Sequence, residues 1–110
     1  MTDVLLVPVG KEGERRYLIR LDGAHAGGIT VHSVRGDAFS YGIAIAPRHR
    51  RRGAAFAALC SLFELMRADG FARAVVQVEA RNEASLALHE KLGFEKTRCE
   101  RGVVTLERAL

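Results

Sequence analysis

The residues most able to do chemistry lie at positions 43–55, where an apolar segment meets an expected helix. This stretch reads Ile-Ala-Ile-Ala-Pro-Arg-His-Arg-Arg-Arg-Gly-Ala-Ala, so a strand should run into a turn of arginine and glycine. The first N–H groups of a helix have no intrahelical partner, and the helix dipole is positive at that end. Gly53 lets the backbone come close to a ligand. The stretch therefore predicts a binding site for a phosphorylated ligand.

A second informative segment, at positions 82–94, reads Asn-Glu-Ala-Ser-Leu-Ala-Leu-His-Glu-Lys-Leu-Gly-Phe. Together with the turn Arg50-x-x-Gly53-x-Ala55, it resembles the GNAT acyltransferases over residues 38–108. In that superfamily the turn holds the pyrophosphate of acetyl-coenzyme A (acetyl-CoA), and the second segment follows the next strand. Each motif alone is common, but their order, with a strand between them, is more specific.

Length and composition indicate one folded domain, residues 1–110. The chain has 110 residues, of which 48% are apolar and 27% charged, as in globular proteins. No apolar run approaches the roughly 20 residues of a membrane span, and the first residues lack a signal-peptide pattern. We therefore expect a cytoplasmic protein with no membrane partner.

The net charge of +4 is carried mostly by arginine. This charge suits an anionic ligand, but it also suits weak, nonspecific binding to nucleic acid. The two cysteines show no metal-ligand spacing, so we expect no metal site. Cys60 should lie on the apolar face of a helix and Cys99 in a late strand, as free thiols.

The apolar patterns predict four antiparallel strands followed by an alternation of helices and strands. The first helix should begin near Arg52, bury Phe56, Leu59, Phe63 and Met66, and end at Asp69-Gly70. The second should begin at Asn82, bury Ser85, Leu88 and Leu92, and end at Gly93. The strand between the helices should be parallel to the fourth strand. The predicted strands are 4–9, 15–21, 28–34, 39–46, 74–80, 95–100 and 103–108.

These elements give an α+β fold with a mixed, mostly antiparallel sheet of about six or seven strands and two main helices. The resemblance implies that the strands on either side of the first helix splay apart and hold the coenzyme between them. The family usually places two helices between its first two strands, as a wall of the acceptor site. Residues 1–40 show no helical pattern, so we expect a shortened form whose acceptor side is open or completed by a second subunit in a homodimer.

The resemblance also implies the residues that bind the coenzyme. Backbone at Ile43, Ala44 and Ile45 should pair with the pantetheine arm, while the turn and the first residues of the helix bind the phosphates. An exposed basic turn that touches nucleic acid remains the alternative, and Asn82 could bind the ligand or only cap its helix. The expected phosphate-binding residues are Arg50, Arg51, Arg52, Gly53, Ala54 and Ala55.

The candidates for proton transfer are His89 and Glu79. His89 stands where many relatives carry the tyrosine that protonates the leaving thiolate, and an imidazole with a pKa of about 6.5 can replace a phenol. Ser40 and Gln77 stand where relatives often carry a glutamate base, and Glu79 is the nearest substitute on the same strand face. As alternatives, His89 could be a packing residue and Glu79 a solvated charge.

Three functions follow from these residues. The first is an N-acetyltransferase that uses acetyl-CoA as cosubstrate to acetylate a primary amine of a small molecule, peptide or protein. The second is an acyl-CoA-binding module with little turnover, because the usual carboxylates and tyrosine are absent. The third is a nucleic-acid binder that uses residues 48–52, although no aromatic residues accompany that cluster.

Overall fold

The computed structural model describes residues 3–51 and 53–110. Seven strands in this part of the chain form one mixed sheet in the order β1-β2-β3-β4-β5-β7-β6. Only β4 and β5 are parallel. The elements are β1 (Val4–Val9), β2 (Arg15–Leu21), β3 (Ala24–Arg35), β4 (Ala38–Ile45), α1 (Ala54–Ala68), β5 (Arg73–Glu79), α2 (Glu83–Lys91), β6 (Glu95–Glu100) and β7 (Val103–Ala109). The predicted fold class is confirmed.

β3 begins at Ala24, earlier than the predicted start at 28. Asp22 and Gly23 both have positive φ, 49° and 86°, and form a tight turn that lets β3 pair with β2 at once. The strand then runs through Gly27, where a Cβ atom would overlap the carbonyl oxygen of Ala44 in β4. Gly27 therefore allows β3 and β4 to approach closely, instead of breaking the strand.

Both helices cover the same face of the sheet. Tyr41 of β4 contacts Phe63 of α1 and His89 of α2. In β5 the residues alternate, so that Val76 and Val78 are buried whereas Gln77 and Glu79 are exposed. The face that carries Gln77 and Glu79 is covered by no helix of the described residues, and we call it the open face.

The buried stripe of α1 agrees with the prediction more closely than that of α2. Leu59, Phe63 and Met66 are buried, and Phe56 is partly buried against the core. Within α2, in contrast, His89 is the buried residue, because it lies one turn after Ser85, on the side of the helix that faces the sheet. Leu92 is also buried, while Ser85 and Leu88 are half-buried.

The structure confirms the predicted position of one cysteine and contradicts that of the other. Cys60 is exposed, so its predicted position on the apolar face of α1 was wrong; Ala58 and Leu59 beside it point inward instead. Cys99 lies in β6 as predicted and is exposed.

None of the described helices has the length and apolar character needed to cross a membrane.

Substitution of Gly27 tests the close approach of β3 and β4. A Cβ at Gly27 would overlap backbone, which cannot rotate away, whereas a Cβ at Gly28 would meet its nearest atom, the carbonyl oxygen of Tyr17, at 3.5 Å. We expect Gly27→Ala to lower the free energy of unfolding by about 1–3 kcal/mol, and Gly28→Ala to change it by less than about 1 kcal/mol. Urea denaturation of both variants measures the difference. Equal midpoints would contradict the steric account.

Candidate functional site

The pairing between β4 and β5 ends early and leaves a crevice. Only Ala38 with Arg73 and Phe39 with Ala74 are paired, although β4 continues to pair with β3 as far as Ile45. The hydroxyl of Ser40 donates to the carbonyl of Val75 at 2.6 Å, just past the last strand pair. Beyond Ser40, the backbone edge of β4 that faces β5 has no strand partner in the described residues.

β4 leads into a turn that is suited to an anion. Gly53 adopts φ 76° at the start of α1, and no side chain caps the helix. The first intrahelical bond runs from the amide of Ala57 to the carbonyl of Gly53 at 3.0 Å. The amides of Ala54 and Ala55 therefore lack intrahelical acceptors. Because the space where a Gly53 side chain would lie is open, an anion can approach these amides.

The basic side chains of the turn have different surroundings. Arg50 donates from Nε to the carbonyl of Ile45 at 3.0 Å, which holds the turn against the end of β4. Arg51 is exposed and has a left-handed φ of 63°. Arg52 lies outside the described residues. Nδ1 of His49 is buried without a hydrogen-bond partner in the described part of the chain, so this turn holds an unsatisfied polar atom.

The predicted pantetheine residues lie along the crevice. Ile43 and Ile45 are half-buried and pack against the core, whereas Ala44 is exposed. Their side chains take part in the fold while the backbone edge toward β5 stays unpaired. Both predicted roles, core packing and ligand pairing, are therefore compatible at these positions.

His89 is buried and hydrogen-bonded at both ring nitrogens. Its Nδ1 lies 2.8 Å from the carbonyl of Ser85, so Nδ1 carries the proton and donates it. Its Nε2 lies 3.0 Å from the hydroxyl of Tyr41, which must then donate to Nε2. Burial lowers the pKa of His89, with partial opposition from the bond to Ser85. Burial also raises the pKa of Tyr41. The pair is therefore a neutral imidazole that accepts from a neutral phenol.

Glu79 and Asn82 lie away from this pair. The carboxylate of Glu79 is exposed on the open face and accepts from Nε of Arg81 at 3.1 Å. His89, on the helix side, is separated from Glu79 by the sheet. Oδ1 of Asn82 accepts from the amide of Ser85 at 3.2 Å, so Asn82 caps α2. The structure thus does not bring the two predicted catalytic residues together.

A cavity of about 540 Å³ lies where β4 and β5 separate, and we call it the apex pocket. Its lining includes Ser40 and Gln77, which shows that these two positions do face one site. Tyr41 and Arg35 also line it, and neither was a candidate in the sequence. The alternation along β4 could have placed Tyr41 beside Phe39, but no local pattern links Tyr41 to His89. The other lining residues are His32, Ala38, Phe39, Val75 and Val76.

Solved structures with the same fold are numerous. The ribosomal-protein-S18-alanine N-acetyltransferase from Escherichia coli is 23% identical, with a TM-score of 0.76 over 91% of this chain and 71% of that one. The IAA acetyltransferase from Bacillus cereus is 16% identical, with a TM-score of 0.81 over 100% of both chains. A putative acetyltransferase from Salmonella typhimurium, solved with its cofactor acetyl-CoA, is 21% identical, with a TM-score of 0.75 over 89% of this chain and 65% of that one.

The comparisons of sequence identify the family. No curated protein matches the chain. The family model described as the acetyltransferase (GNAT) family matches residues 3–94, which include the strand pair, the glycine turn and the helix that carries His89. With that match across most of the sequence and the same fold in solved acetyltransferases, the chain belongs to the GNAT acetyltransferase family.

Proposed function

We propose that this protein is an N-acetyltransferase that transfers the acetyl group of acetyl-CoA to a primary amine by direct attack. The observation that supports this most is the continuity of the crevice. The unpaired edge of β4 runs directly into the glycine turn at the start of α1. An extended thioester arm that ends in phosphates suits this arrangement, because the edge offers backbone partners along its length and the turn offers free amides.

In this proposal the chain binds acetyl-CoA mainly through backbone. Amides of Arg51, Arg52, Gly53, Ala54 and Ala55 would bind the pyrophosphate, and Arg50 would keep the turn in place through its bond to Ile45. Backbone at Ile43, Ala44 and Ile45 would pair with the pantetheine arm. An amide of this strand would also donate to the acetyl carbonyl, where negative charge develops as the amine attacks.

The reaction requires two proton transfers. The amine nitrogen attacks the acetyl carbon, the C–S bond breaks, the nitrogen loses a proton and the sulfur gains one. His89 as found accepts at Nε2 and cannot donate there until it is protonated, which its lowered pKa disfavours. We therefore assign the donor role to the Tyr41–His89 pair: the phenol, which donates to Nε2 in this structure, would turn its proton to the leaving sulfur, and the phenolate would regain a proton from water. Glu79 remains the candidate base and would act through water from the open face.

The acceptor is proposed to reach the site from the open face. The apex pocket lies at that face, and the sheet there is uncovered in the described residues. The E. coli neighbour is named for an alanine of a ribosomal protein, which supports a peptide or protein amine as one class of acceptor. A second subunit of a homodimer could complete the acceptor side.

An acyl-CoA-binding module with little turnover is the second candidate. It is favoured by the hydrogen bonding of His89, which already satisfies both ring nitrogens. Calorimetry with acetyl-CoA followed by a thiol-release assay against a panel of amines separates the two candidates. Thiol release dependent on an amine supports the enzyme, and tight binding without release supports the module. Absence of binding at about millimolar acetyl-CoA, with nucleic-acid affinity instead, would contradict both.

Gly53→Glu tests the phosphate turn. The substitution forces a side chain onto a left-handed backbone and places a carboxylate beside the proposed phosphate site. We expect the Kd of acetyl-CoA, measured by calorimetry, to rise at least about tenfold, since one lost charge-assisted hydrogen bond is worth about 1.5–3 kcal/mol.

Gly13→Glu is the matched control for this change. Gly13 has φ 90° and an equally open surrounding, but it lies in the turn between β1 and β2. Its substitution carries the same backbone strain and the same charge change. A similar loss of acetyl-CoA affinity in both variants would show that the effect comes from stability and not from the site.

Tyr41→Phe and His89→Phe test the proton donor. Each removes one partner of the bond between the two side chains, and we expect each to lower kcat for thiol release by about a hundredfold, as loss of a general acid does. The Kd of acetyl-CoA should stay within about twofold, because neither change touches the turn. Tyr17→Phe, at the other tyrosine of the chain, is the control. A kcat near that of the wild type in both variants would reduce the pair to a packing role.

The pH dependence of stability tests the state of His89. Because burial lowers the pKa of His89 in the folded protein, the unfolded chain takes up the proton first. The contribution of His89 to stability is therefore complete above its unfolded pKa of about 6.5 and is lost as the pH falls toward the folded value. The urea midpoint should decrease more between about pH 7.5 and about pH 5 in the wild type than in His89→Phe. Parallel curves would contradict the lowered pKa.

A further inference from the structure

Cationic side chains lie at both ends of β4. Arg48, Arg50 and Arg51 are exposed in the turn that follows its end, and Arg35 lines the apex pocket near its start. β4 has 8 residues, so its ends are about 23 Å apart at roughly 3.3 Å per residue. A phosphate bound at the turn therefore lies too far away to contact Arg35.

The apex pocket is positive or neutral throughout. Its polar lining in the described residues consists of Arg35, His32, Ser40, Tyr41 and Gln77, without a carboxylate. The hydroxyl proton of Ser40 is used by the carbonyl of Val75, so Ser40 offers lone pairs to a donor such as an amine. Gln77 is exposed and offers both an N–H₂ and a carbonyl. The pocket thus has an acceptor for an amine on β4 and a cation on β3.

Arg35 is free to bind an anion. It is exposed and forms no ion pair with any residue that the structure describes. Asp37, the acidic residue nearest to it in the sequence, is exposed in the turn and accepts the amides of Ala72 and Arg73 through its backbone carbonyl. A guanidinium binds a carboxylate through two parallel hydrogen bonds.

We propose that the acceptor of this enzyme is a primary amine that carries an anionic group on the same molecule, with Arg35 binding that group at the apex pocket. The inference rests on the proposed acetyl transfer and adds the class of acceptor. The volume of about 540 Å³ is within the usual range of ligand sites. Acceptors with a second positive charge are disfavoured, because Arg35 and the protein's net charge of +4 repel them.

Acceptor panels that differ only in charge test this proposal. Thiol release is measured with γ-aminobutyrate, γ-aminobutyramide and putrescine, and in parallel with short peptides whose residues after the amino terminus are Glu, Gln or Lys. We expect kcat/KM to be highest for the anionic member and lowest for the cationic one, with an advantage of at least tenfold that shrinks as salt is added. The panel with the larger advantage identifies the source as a small molecule or a peptide terminus.

Arg35→Gln supplies the second arm of the test. It should raise KM for the anionic acceptor about tenfold or more while kcat/KM for the neutral amide stays within about twofold. Arg67→Gln, an equal charge change on the exposed side of α1, should alter neither. Calorimetry of the acceptors with the protein saturated in coenzyme A gives a readout that does not require turnover.

The outcomes separate this inference from the proposed function. Thiol release with no preference for anionic amines, or an Arg35→Gln variant that loses neutral and anionic acceptors equally, would overturn the inference and leave acetyl transfer intact. No thiol release with any amine contradicts the proposed function. If anionic amines then still bind in calorimetry, and bind less well to Arg35→Gln, the anion site itself is supported.

Discussion

The early end of the pairing between β4 and β5 is the constraint on which the rest of the structure depends. Parallel strands in a sheet normally continue to pair, because backbone N–H and C=O groups need partners. Here the buried rings of Tyr41, Phe63, His89 and Phe94 lie together just past the last strand pair, with centroids 5.0–6.1 Å apart. Closing the crevice would require repacking these rings. The aromatic cluster therefore opposes further pairing of β4 with β5.

The parts of the site that could be predicted from the sequence are those formed by residues close together in the chain. The glycine turn is local: Gly53 and the start of α1 are adjacent in the chain, and the pattern of free amides follows from helix geometry. The crevice was also expected, because the helix between the two strands predicts a parallel pair and the resemblance to the GNAT family implies that this pair splays apart. The point at which the two strands separate was not predicted, since it depends on side chains that meet only after the chain has folded.

His89 shows why the surroundings of the candidate catalytic residues were harder to predict than the glycine turn. Its partner Tyr41 is 48 residues away in the sequence, and the helical pattern favoured Ser85, Leu88 and Leu92 as the buried side. His89 is buried because its ring packs against those of Tyr41 and Phe94. The position predicted for Cys60 was wrong because its neighbours Ala58 and Leu59 are the residues that face the core. The start of β3 was missed because a glycine pair can mark either a break or a close approach, and only the position of Ala44 decides between them.

The open face of the sheet has a consequence for how this domain can change. The buried core lies on the helix side, so residues such as Gln77 and Glu79 contribute little to stability. Exposed positions of this kind usually tolerate substitution within about 0.5 kcal/mol. In the proposed reaction, the preference for an acceptor can therefore change through substitutions on the open face, without compensating mutations in the core. Folding depends on residues of the opposite side of the sheet, so the two properties can change independently.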